Sequence, residues 1–209
     1  MYDAEAIVIG GGHNGLICAA YLAKAGVDTI LVEARDSVGG CASTVSDLGA
    51  RFNICACDHS LIRAMPLIDE LNLSFHGLDY LEPEATYVNA FHENNGSWVF
   101  YHDADQTIDG LSITHPSEVE NYKRYLEDAI PVAELVIKIA QSGASMPEFL
   151  QAATQQKMKG ISKLLRWSKA SAVEVFKDYF DDWHLYMPGI STGPTVWGAP
   201  PEAPGTGLA

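Results

Sequence analysis

The chain has 209 residues, 47% of them hydrophobic and 19% charged, with a formal net charge of −14. That composition excludes a disordered chain and is enough to bury a sizeable core, as one large domain or two small ones. The acidic balance argues against nucleic acid and anionic membrane surfaces as partners.

Met1-Tyr2-Asp3 carries no basic segment and a strand reading begins at Ala4, so no signal peptide is expected. The apolar stretches fall short of a membrane span, and the expected location is cytoplasmic.

Residues 6–9, AIVI, are a short continuous apolar run, which predicts a parallel strand buried on both faces. Residues 14–24 are rich in Ala and Leu and stop at Gly26, predicting a helix; residues 29–32 predict a second strand. Residues 76–111 read as antiparallel: EATYVNAF and SWVFYHD flank HENNG, with Asn95-Gly96 supplying positive φ. From Thr114 the chain turns helical, with capping boxes at 117–120, 145–148 and 171–174. Val119, Tyr122, Leu126, Ala129, Ala133, Val136 and Ala140 fall at helical spacing, with Pro131 predicting a kink. A last helix is expected to carry Val175, Phe176, Tyr179, Phe180 and Trp183, an aromatic stripe read as core. A Pro/Gly-rich stretch, 187–209, is expected to be irregular. The organisation is therefore a strand–helix–strand portion at 1–75, an antiparallel segment at 76–111, a helical segment at 112–186 and the irregular tail.

Cys18, Cys41, Cys55 and Cys57 do not read as a disulfide framework. Cys18 is expected as a buried thiol on the first helix, and Cys55 and Cys57 as alternate positions on one strand face rather than a redox pair. The seven histidines are scattered without ligand spacing, and no metal is expected.

Gly10, Gly12 and Gly15 directly follow the first strand and open the first helix. The first permits a tight turn, the second lets a pyrophosphate approach the backbone, and the third lets helix pack on strand. The helix amino end then offers N–H groups and partial positive charge to a diphosphate. Glu33 ends the second strand, where a carboxylate can accept the hydroxyls of an adenosine ribose. His13 and Asn14 lie beside the expected diphosphate site, where Asn14 serves either as a contact or as a helix cap. RDSVGGCAST adds Arg35, the Gly39-Gly40 pair, Ser43 and Thr44. The pair would allow a second close backbone approach to a dinucleotide, and Arg35 could face a phosphate or adenine. Ser46 stands where a disulfide reductase would need the second cysteine after Cys41, which excludes that class.

IGGGHNGLICAAYLAKAG followed by VEARDSVGGCAST resembles the phytoene-desaturase-like FAD oxidoreductases, a branch of the amine-oxidase and carotenoid-desaturase superfamily. The resemblance is strong over residues 4–44 and looser beyond. It implies an α/β fold, with a Rossmann-type FAD-binding domain interrupted by a β-hairpin and a helical substrate-domain segment. It also implies non-covalent FAD and hydride transfer between a small apolar substrate and the flavin. In that family the flavin-binding domain is discontinuous and its chain returns to supply further sheet. No second glycine-rich strand–helix unit follows Tyr186. The expectation is an amino-terminal portion with an incomplete domain, either a truncated product or one half of a split enzyme completed by a second chain, or else associating as a homo-oligomer. The alternatives are a non-catalytic FAD- or nucleotide-binding module and an NAD-dependent dehydrogenase. No catalytic residue is named. Arg51, Cys57 and His59 either approach the flavin or serve structure.

Overall fold

In the computed structural model, which describes residues 3–55, 59–92, 96–141 and 160–208, the chain divides into two units, Met1–Asp79 and Tyr80–Ala209. Cys57, Asn95 and the capping box expected at 145–148 lie outside the described residues.

The first unit begins as the apolar pattern predicts. Strand β1 (Ala6–Ile9) leads into helix α1 (His13–Lys24) and then strand β2 (Thr29–Val32). The strands pair in parallel, Ala6 opposite Thr29 through Ile9 opposite Val32. Gly26 ends α1: its N–H reaches Ala23 O and that of Val27 reaches Leu22 O, the paired bonds of a Schellman stop. A one-turn 3-10 helix (Gly40–Ala42) precedes an antiparallel hairpin, β3 (Thr44–Asp47) with β4 (Ala50–Asn53), turned at Leu48-Gly49 where both residues have positive φ. Two short helices follow, α2 (Ser60–Ala64) and α3 (Leu67–Glu70).

Three expectations fail in this unit, the first two for one reason; the third is Cys55, which lies in a bend past the end of β4 rather than on a strand. β1 is not buried on both faces, since Ile7 and Ile9 are exposed, Ile9 by 84%. Cys18 is exposed rather than buried. Among the described residues β1 and β2 make a sheet of their own, so α1 covers only one side and buries none of its own residues fully. Parallel strands this apolar are of the kind that sheets cover on both faces.

The second unit starts with strand β5 (Ala85–Asn89) antiparallel to β6 (Trp98–Tyr101), with an irregularity between Ala85 and Tyr87. Gly96 does not adopt positive φ. Helix α4 (Ala104–Thr114) begins inside the segment read as antiparallel, because Asp103 caps it by accepting from Asp105 N and Gln106 N. The Ser117 box does not form. Pro116 keeps His115 out of helical backbone (φ −138°, ψ 60°), and a 3-10 turn (Pro116–Glu118) enters helix α5 (Val119–Gln141) instead. Pro131 lies within α5. Before it the expected stripe holds at Tyr122; beyond it the buried positions are Val132 and Leu135, not Ala133, Val136 and Ala140. Helix α6 (Ile161–Trp167) precedes helix α7 (Ala172–Lys177), whose capping box joins Ser171 and Glu174 as expected.

The single last helix is in fact two. Asp182 accepts from His184 N and starts a new helix, α8 (Trp183–Thr192), so Tyr179 and Phe180 sit in the joint, both buried. The expected irregular tail therefore begins as helix and then packs: Gly205 N and Gly207 N both donate to Ala170 O, and Thr206 Oγ1 accepts from Ala172 N at 3.0 Å. The core of this unit is Trp98, Leu111, Tyr122, Leu135, Trp167, Val175, Phe180 and neighbours, with Leu135 fully buried.

One polar knot fastens α5 to α6 and the joint. Tyr179 OH donates to Asp128 Oδ2 at 2.5 Å, and Lys163 Nζ reaches the same oxygen at 2.7 Å and Tyr179 OH at 3.1 Å. Burial alone would raise the Asp128 pKa, but the bonds from Lys163 and Tyr179 outweigh it and hold the carboxyl below its usual range. A depressed folded pKa gives stability that is present above the unfolded value, about 3.9, and lost as pH falls through the folded one. Tyr179→Phe is expected to cost about 1–2 kcal/mol in urea unfolding followed by tryptophan fluorescence. Asp128→Asn should destabilise at pH 7 and converge on the parent below about pH 3, where the parent carboxyl is itself protonated. A constant difference between the two across that range would show that the Asp128 charge contributes nothing.

Candidate dinucleotide cradle and apolar cavity

Gly10 turns the chain out of β1 at φ +101°, while its N–H still pairs with Val32 O of β2 at 2.8 Å. Gly12 then stands at the N-cap of α1 in extended backbone, without a side-chain cap, and no acidic residue occupies the first turn. The positive end of the helix and its unpaired N–H groups are thus presented bare. Gly15 is obligatory: a Cβ there would lie 1.9 Å from Gly10 O.

The Gly39-Gly40 pair sits where the sequence suggests, but meets protein backbone. Gly39 N donates to Gly11 O at 2.7 Å, and Gly12 and Gly39 form a parallel bridge. A Cβ on Gly40 would come within 2.9 Å of Gly12 Cα. Glu33 is half-buried at the end of β2 and also turns inward: Oε2 accepts from Gly11 N at 2.6 Å and Oε1 from Arg35 N at 2.9 Å. The bonds from Arg35 N and then Gly11 N hold its carboxyl below the usual range, so it stays charged at neutral pH. Each carboxylate oxygen keeps further acceptor capacity for a ligand hydroxyl.

His13, Asn14 and Arg35 are exposed around this turn. Asn14 does not cap α1, because Gly12 holds that position. Arg51 is exposed on β4, and His59 is the residue before α2.

The second unit contains a partly open cavity of about 580 Å³ between β5, β6, α5 and the α7–α8 region. Trp98, Phe100, Tyr122, Leu126, Phe180 and Met187 are among its walls, and among the described residues none that lines it carries a charge. Asn89, Ser191 and Thr192 supply polar atoms. Burial pushes the phenols of Tyr122 and Tyr125 well up, so both stay neutral donors. The sequence pattern assigns these aromatic stripes to the core. The period of α5 cannot tell a side chain that fills a core from one that lines a space within it.

Residues 8–64 match the family described as NAD(P)-binding Rossmann-like domain. The chain is 32% identical over 127 residues to a limonene dehydrogenase subunit of Castellaniella defragrans, covering 60% of this chain and 23% of that protein. It is 31% identical over 129 residues to the lycopene-forming phytoene desaturase of Paracoccus sp., covering 59% of this chain and 25% of that one. The resemblance to the phytoene-desaturase-like oxidoreductases therefore holds. In fold, the chain matches putrescine oxidase with a TM-score of 0.55 at 19% identity, over 98% of this chain and 40% of that one. It thus spans a quarter or less of these two curated relatives. No helix among the described residues is long and apolar enough to cross a membrane.

Gly15→Ala is expected to open the turn, because Gly10 O cannot retreat without turning the peptide whose Gly11 N–H bonds Glu33. The cost should be on the order of 1–3 kcal/mol, read as faster hydrogen exchange in β1 and α1 with the second unit unchanged. Unaltered exchange across the first unit would contradict the close approach.

Proposed function

We propose that the chain is the FAD-binding and substrate-holding part of an oxidoreductase that moves a hydride between an apolar, unsaturated substrate and flavin. One observation carries this reading: a single chain combines a bare, glycine-lined helix amino end backed by an ionised Glu33 with a large cavity of uncharged lining. The first suits a diphosphate and a ribose. The second suits a hydrocarbon-like molecule that offers no charge to pair. The match to a limonene dehydrogenase and a phytoene desaturase, whose names specify hydrocarbon substrates, supports the same class.

In this proposal Gly10, Gly12 and Gly15 form the diphosphate turn, with His13 and Asn14 at its rim. Glu33 binds the adenosine ribose, Arg35 lies beside the adenosine half, and Gly39-Gly40 hold the turn in shape. FAD, when bound, supplies the hydride acceptor, so the chain needs to position and enclose substrate rather than provide a nucleophile. Ile7, Ile9, Ile30 and Val32, all exposed on β1 and β2, support a cover of further sheet or helix in the working enzyme. A second chain is the cover we favour, in keeping with a relative named as one subunit of a larger enzyme.

Titration of the purified chain with FAD, with NAD as the competing dinucleotide, tests the cofactor; anaerobic addition of a monoterpene or carotenoid hydrocarbon to the chain assembled with its covering partner tests the reaction. Bleaching of bound flavin and its recovery in oxygen are expected. Glu33→Ala should weaken FAD binding by about 1.5–3 kcal/mol, roughly ten- to a hundredfold. Binding of NAD without FAD would turn the reading to a nicotinamide dehydrogenase. Flavin that binds but never bleaches would leave a nucleotide-binding module.

A further inference from the structure

Away from both the cradle and the cavity lining, the second unit brings together His115, Asp182 and His184. His115 closes α4 just before Pro116 and is buried, 6% exposed. Its Nδ1 lies 2.9 Å from Thr114 Oγ1, and the Thr114 hydroxyl donates to Gly110 O. With that proton already committed, Nδ1–H must be the donor to Thr114, and the lone pair of the ring sits on Nε2. That Nε2 is buried without a hydrogen-bond partner and lies 3.9 Å from Asp182 Oδ2. Asp182 uses its other oxygen as the α8 cap, accepting from His184 N at 3.0 Å and facing His184 Nδ1 at 2.6 Å.

The charge around this point is negative. Asp182 and Glu118 both bear on His115, together with the His184 ring. Glu118 is itself buried, with Asn121 Nδ2 donating to it at 3.1 Å. Desolvation pushes the His115 pKa down against these carboxylates, so at neutral pH the imidazole is uncharged and the carboxylates are not offset by it. A buried bare imidazole nitrogen facing a carboxylate, with a second imidazole alongside, is a donor set for a borderline transition-metal ion.

We propose that His115 Nε2, a carboxylate oxygen of Asp182 and a ring nitrogen of His184 bind one divalent ion of the zinc type, with water completing the shell. The three donor atoms lie within 4.8 Å of one another. Zinc bonds of about 2.0–2.2 Å would space them roughly 3.3 Å apart, so the side chains close by at most about 1.5 Å on loading. Asp182 is 35% exposed and gives the ion a way in, whereas the His115 side chain is 5% exposed. The ion would brace the cavity wall. Trp98 Nε1 donates to His184 O at 2.9 Å, the Phe91 ring meets the His184 ring edge-on at 4.8 Å, and Leu185 beside it lines the cavity. Nothing in this assignment depends on the flavin reading.

The test uses the full chain stripped with chelator, titrated calorimetrically with zinc and spectroscopically with cobalt(II). One equivalent, visible bands of a low-coordinate cobalt site and a rise of several degrees in the thermal midpoint are expected. His115→Gln should lose the equivalent, while His102→Ala, at an exposed histidine, should keep it. No stoichiometric binding by the parent, or equal binding by His115→Gln, overturns the proposal, as does loss on His102→Ala. Should His115→Gln fail to fold, X-ray absorption of the cobalt-loaded parent decides: an imidazole shell supports the site, and an oxygen-only shell sinks it.

Discussion

Gly40 approaches Gly12 too closely to carry a side chain of its own, and the shape of the cradle depends on that contact. The Gly39 N–H bonds Gly11 O, a Cβ on Gly40 would strike Gly12 Cα, and Glu33 takes the Gly11 N–H from the end of β2. Three stretches of chain, distant in sequence, are thereby tied to one turn. The turn in turn fixes where α1 begins, and so where its positive end points. The proposed diphosphate site would be made by exclusion, since glycines at the turn leave room for an anion to approach the N–H groups of the helix start.

The second unit is organised on the opposite principle, by filling rather than clearing. Tyr125 touches the rings of Trp167, Phe176, Tyr179 and Phe180, and such aromatic pairs stabilise beyond their buried area. Charges are kept to the seams between helices, where each has a job of its own. Asp128 joins Lys163 and Tyr179, while Asp182 caps α8 and holds His184. A half-buried charge of this kind is stabilising only while its partners remain. These knots therefore fix how α5, α6 and the joint before α8 register against one another, and the cavity walls follow from that register.

The parts of this structure that were legible in the sequence are those set by local chemistry. AIVI, the Gly10-to-Gly15 turn, Gly26 and the Ser171–Glu174 box each act within a few residues, and they give the strand, the turn, the helix stop and the cap, although the burial expected of AIVI does not follow. The errors arise where a distant partner decides. Cys18 lies at a position whose burial depends on what backs the sheet, not on α1 itself. Tyr179 and Phe180 continue a helical stripe by spacing, yet Asp182 breaks the helix because its carboxylate finds the N–H of His184. Glu33 was visible as the acid after β2, but its bond to Gly11 was not, since spacing places a residue without saying which way its oxygens turn. The pairing of His115 with His184 was hidden for the same reason: α4 and α8 are brought together only by the core between them.

A cavity without charge can choose its occupant only by size and shape. One methylene more or less in such a site is worth about 1–3 kcal/mol, so selection among similar hydrocarbons is modest unless the walls are stiff. Here the walls have reason to be stiff. Trp98 is held by His184 O, Tyr122 and Phe180 belong to the close-packed core, and Leu185 follows directly on the capped start of α8. The neutral phenols of Tyr122 and Tyr125 add direction without adding charge. For the proposed hydride transfer that combination would suffice. The reaction needs a C–H bond held at a fixed distance and angle from its acceptor, and effective concentration supplies much of the acceleration. Among the described residues the lining offers no acid–base pair, and under that proposal these side chains serve to hold an apolar molecule still.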